Sequence, residues 1–126
     1  VAKDKIPTLK PDMARIFVYR SFNPFALFKP IIFKLDGKSI ADSYAGTIFY
    51  HDVTPGKHLV NMGTTIDDLS INLAAGKAIY LKYSLVTDAI SKANYIIKLI
   101  DSKKVAIELS NVSLIKKVIR YPEENK

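Results

Sequence analysis

The chain has no cysteine among its 126 residues. That excludes a disulfide framework, a thiolate metal site and a cysteine nucleophile. It leaves the compartment open, because a core of this size needs no covalent bridge. No apolar run approaches the roughly 18 residues of a membrane-spanning helix. Stretches such as Ile31-Ile32-Phe33 are strand-sized. Glycine is scarce: the five are Gly37, Gly46, Gly56, Gly63 and Gly76. Their spacing excludes GxGxxG and phosphate-loop cradles, and HExxH and GxSxG are missing too. Each glycine reads as a turn or bulge marker.

There are only two histidines, His51 and His58, and they flank Thr54-Pro55-Gly56. If that turn closes a hairpin with Val53 opposite His58, His51 falls opposite Val60. The two imidazoles then lie diagonally on one face. Two ligands fall short of the three or four that zinc takes from a protein, and Asp52 would point the other way. The histidines are therefore expected to be structural, with no metal and no cofactor. Neighbours in Asp67-Asp68 and Glu123-Glu124 point apart, so neither pair makes an acid/base dyad. The chain is not expected to be an enzyme.

What is present is ordinary for one globular domain: 48% hydrophobic and 25% charged residues. The net charge of +7 comes from 19 Lys and Arg against 12 Asp and Glu. Such a surplus favours anionic partners. The lysines are scattered, however, and the longest basic runs are the pairs Lys103-Lys104 and Lys116-Lys117. The charge reads first as a solvated surface. The chain opens on Val1 rather than Met, and the expectation is that a leader or anchoring segment has been removed.

Residues 1–13 are polar, carry Pro7 and Pro11, lack periodicity, and read as a tether. Ala14 to Arg20 is a strand rich in β-branched and aromatic residues; Ile16 and Val18 share one face and Phe17 and Tyr19 the other, so both faces should be covered. Ile31 to Leu35 and Lys38 to Asp42 flank Asp36-Gly37, a strong hairpin signal. Thr47 to Val53, Lys57 to Met62, Asp68 to Leu73, Lys77 to Leu85 and Asn94 to Ile100 are further strands, with turns at Thr54-Pro55-Gly56 and Ala75-Gly76. Asp101 or Ser102 would cap a short helix with a Val105, Leu109, Val112 stripe, and Val112 to Ile119 reads as a last strand.

Short strands at close spacing predict an all-β fold with at most one short helix, an antiparallel β-sandwich of Ig-like or transthyretin-like type. The domain spans 14–119 and residues 120–126 form a polar tail. Between the first two strands, Phe22, Phe25, Leu27 and Phe28 form an aromatic loop with Pro24 and Pro30. Phe22 is expected in the core. Phe25, Leu27 and Phe28 are the candidate partner contact.

The strand Ala14 to Arg20, the hairpin Asp36-Gly37-Lys38 and the turn Val53-Thr54-Pro55-Gly56-Lys57-His58, followed by Ala75-Gly76-Lys77 and Ile79-Tyr80-Leu81-Lys82, resemble a family of uncharacterised bacterial lipoproteins. The Pro-Gly-Lys-His turn is also similar to that of PEGA-type β domains. The resemblance covers about Ala14 to Ile119. It implies export to the periplasm and outer membrane, a removed signal peptide, lipid anchoring on an N-terminal cysteine, and a compact sandwich in the envelope. The expected function is thus a non-catalytic interaction or structural module that contacts an envelope protein, peptidoglycan or an anionic membrane surface. Nucleic acid is not expected. The alternative is a small β-barrel whose basic and aromatic residues bind single-stranded nucleic acid, or whose interior holds an apolar ligand.

Overall fold

The computed structural model describes residues 6–20, 30–44, 46–63, 68–86, 94–100 and 118–120. These form nine strands and no helix: β1 Ala14–Arg20, β2 Ile31–Leu35, β3 Lys38–Ser43, β4 Thr47–Val53, β5 Gly56–Met62, β6 Leu69–Leu73, β7 Ala78–Val86, β8 Asn94–Ile100 and β9 Val118–Arg120. The aromatic loop, the expected helix and most of the last expected strand lie outside the described residues.

Two sheets pack face to face. Sheet A has the order β8-β7-β1-β4-β9 and sheet B the order β3-β2-β5-β6. Sheet B is antiparallel throughout. In sheet A, β1–β4 and β7–β8 are antiparallel while β1–β7 and β4–β9 run parallel. The period-two pattern builds the core directly. Ile16, Val18, Phe49 and Leu81 point inward from sheet A and meet Phe33, Val60 and Met62 from sheet B, all with no exposed surface. Phe33 and Phe49 join the sheets edge to face, ring centres 5.5 Å apart. The middle of the sandwich is filled by side chains, as dense protein interiors are.

The outer face of β1 and β4 is largely buried as well, as the alternation in β1 predicts. Tyr19, Ile48 and Tyr50 form a second apolar cluster, with Ile6, Phe17 and Ile100 against it. Phe17 stacks on Tyr80 at 4.7 Å. Within this face Arg15 grips Asp52 through two bonds, Nε to Oδ1 at 2.6 Å and Nη2 to Oδ2 at 2.9 Å. Its Nη1 donates to the Pro7 carbonyl at 2.7 Å. Residues 6–13 thus lie against sheet A. They turn at 10–13, where the Met13 amide donates to the Lys10 carbonyl and the Gly76 amide donates to the Met13 carbonyl.

One expectation fails. Thr54-Pro55-Gly56 does not close a hairpin: Val53 pairs with Ala14 in sheet A, and His58 pairs with Ile71 in sheet B. The chain passes from one sheet to the other there. The physical reason lies in burial. β4 is buried at every position, whereas β5 alternates buried and exposed residues, so the two strands belong to different layers.

Candidate functional site

At one end of the sandwich, β1, β5 and β7 begin and β4 and β6 finish. Ala14 lies opposite Val53, Arg15 opposite Ala78, and Gly56 opposite Leu73. The tip of the β2–β3 hairpin belongs to the same end, because the Asp36 amide donates to the Leu59 carbonyl near the start of β5. Among the described residues, four connections therefore meet here: the 10–13 turn, the 36–37 hairpin, the 54–55 crossing and the 74–77 crossing. The first and last touch, since a Cβ on Gly76 would sit 3.7 Å from the Pro11 carbonyl oxygen.

Each connection ends on, or begins with, an exposed lysine: Lys10, Lys38, Lys57 and Lys77. Three of these follow a glycine directly, in Gly37-Lys38, Gly56-Lys57 and Gly76-Lys77. Those three glycines have φ of 82°, 117° and 76°, the left-handed region where glycine is the unstrained residue. At the opposite end Gly46 and Gly63 precede threonine instead. There the exposed charged side chains, among the described residues, are Asp42 and Asp68. Among the described residues, the basic end carries two exposed carboxylates, Asp12 and Asp36, against its four lysines.

Asp36 is committed locally. Its Oδ1 accepts the Leu59 amide at 2.8 Å, and its Oδ2 lies 2.6 Å from His58 Nδ1. His58 Nε2 lies 2.7 Å from the Thr54 carbonyl oxygen. Partial burial alone would push the Asp36 carboxyl up, but the Leu59 amide, the His58 ring and the charge of Lys38 together hold it below the usual carboxylate range. His58 itself is buried. One side chain thereby ties the β2–β3 hairpin, β5 and the crossing from sheet A into a single end.

The two histidines do not meet as a diagonal pair. His51 lies opposite Ile16 on β1 and, with Phe49 and Val53, points between the sheets, 3% exposed. His58 belongs to sheet B. Among the described residues no group of three or more His, Asp or Glu is placed to hold a metal. Asp68 bonds Asn61 at 3.0 Å. The candidate contact residues Phe25, Leu27 and Phe28 lie outside the described residues. The lysine cluster is not visible as a run in the chain, because its members are far apart in sequence. The signal that could have found it is the repeated Gly-Lys after turn positions.

Comparison with known protein families, with characterised proteins and with solved structures gives no match.

Proposed function

We propose that this chain is a non-catalytic β-sandwich module of the bacterial cell envelope whose basic end faces an anionic lipid surface. The observation that carries this is the segregation of exposed charge among the described residues: lysine at the turns of one end, aspartate at the other. The kind of cation favours lipid over a single specific anion. Arg15 and Arg20, the arginines whose side chains are described, are buried and serve the fold; Arg20 donates to the Ser43 carbonyl at 2.7 Å. Arginine forks read phosphate or carboxylate bidentately, whereas lysines act as hydrated point charges that suit a diffuse anionic surface. Each lysine near such a surface contributes about 1 kcal/mol. The resemblance to envelope lipoproteins supports the same location, and a tether would add to so modest an affinity.

The test is sedimentation with phosphatidylglycerol-containing vesicles beside pure phosphatidylcholine vesicles. Binding to the anionic vesicles should appear at low salt and fade as the screening length falls below about 10 Å. Replacing Lys38, Lys57 and Lys77 together by Gln should weaken partitioning on the order of 100-fold, since three such charges are worth roughly 3 kcal/mol. A Lys82→Gln variant, whose lysine lies away from that end opposite Tyr19 on β1, should keep it. Equal retention on both vesicles, or equal loss in both variants, refutes the assignment. Capture by a soluble polyanion without vesicle binding moves the partner away from lipid.

A further inference from the structure

We infer that His58 is a doubly protonated histidine that clasps the basic end of the sandwich shut, and that raising the pH releases the clasp. The case begins with its two acceptors. The Thr54 carbonyl oxygen has no proton to give, so the contact at 2.7 Å requires hydrogen on Nε2. The Asp36 carboxylate, ionised at neutral pH and already accepting the Leu59 amide, also has none, so the contact at 2.6 Å requires hydrogen on Nδ1. A neutral ring carries only one N–H. Both contacts together therefore define an imidazolium.

The charged groups around the ring agree. The β2–β3 hairpin supplies Asp36 and Lys38, and β5 itself supplies Lys57. Across on β6 stand Ser70, Ile71 and Asn72, which do not titrate. The crossing contributes Thr54 and Pro55, neither of them charged, and the facing sheet contributes His51, directed between the sheets. Asp36 is the carboxylate in direct contact, 2.6 Å from Nδ1, and at that distance it favours the charged ring against the two lysines.

When the ring loses a proton, one contact becomes lone pair against lone pair. The charged carboxylate keeps the remaining N–H, since charge-assisted bonds are the stronger. The Thr54 carbonyl is then released, and with it the crossing that presents Lys57. Burial of the ring disfavours its charge, but both acceptors bond only the charged form, so on this inference the folded chain holds the second proton more tightly than the unfolded chain. The clasp is whole below the ordinary histidine value of about 6.5 and is lost as the pH rises through the higher folded value.

The experiment is a nitrogen-15 NMR titration of the intact chain, with His58 told from His51 by through-bond assignment. The expected result is a His58 midpoint above about 6.5, with both ring nitrogens protonated below it. Amide exchange at Gly56 and Lys57 should speed up as the pH passes that midpoint, beyond the intrinsic base-catalysed rise. An Asp36→Asn variant should lower the midpoint toward the ordinary value. A wild-type midpoint at or below about 6.5, or a single protonated nitrogen on the acid side, overturns the clasp. That readout needs no variant and does not depend on lipid binding.

Discussion

Gly56 shows how much a single residue decides. Its φ of 117° lies where side chains are strained, yet a Cβ there would meet nothing within 4 Å. The constraint is therefore in the backbone alone. Replacing Gly56 by Val should cost on the order of 1–2 kcal/mol, read as a fall of several degrees in the thermal midpoint. An unchanged midpoint would mean that the backbone relaxes out of that conformation. This requirement was legible in the sequence, because Pro55-Gly56 is a local signal. Asp36-Gly37 was equally legible: both residues have positive φ, 51° and 82°, as a two-residue hairpin demands. The partners of His58 were not. Asp36 is far from it in the chain, and only the pairing of β2 with β5 brings the two together.

At the scale of elements, β1, like β4, is buried on both faces and paired on both edges. Its alternation of apolar residues announced this. Arg15 in the same strand did not announce its partner, since β4 was expected to pair with β5 rather than with β1. The Arg15–Asp52 pair is nearly free of solvent, at 6% and 4% side-chain exposure. Removing one member leaves a buried charge, so Asp52→Ala should destabilise by about 3–5 kcal/mol. An Arg15→Leu, Asp52→Leu double variant should be much less damaged, because two buried charges leave together. Chemical denaturation of the single and double variants measures the difference, and a double variant as unstable as Asp52→Ala would contradict it. The misplaced hairpin has the same root. Pro-Gly fixes that the chain turns, and only the unequal burial of the strands on either side shows that it changes layer.

For the whole molecule, charge placement could not be read from the chain, because the fold gathers Lys10, Lys38, Lys57 and Lys77 from four separate turns. Stability against pH is a property at this scale too. Asp36 is held below its ordinary value of 3.8. Its contribution is thus fully present above that value and is lost as the pH falls through the lower folded one. Asp36→Asn should flatten the acid limb of a melting-temperature profile below about pH 4, and an acid limb identical to wild type would show that Asp36 does not contribute to it. The crossing at residues 54–55 has a consequence in time. Because it sends β5 away from β4, the central strand of sheet A finds its neighbours only at a distance: Ala14 waits for Val53, and Arg15 for Ala78. High contact order of this kind places folding in the millisecond-to-second range. During synthesis, β1 emerges well before either sheet neighbour: β4 follows only after β2 and β3, and β7 only after β5 and β6 as well.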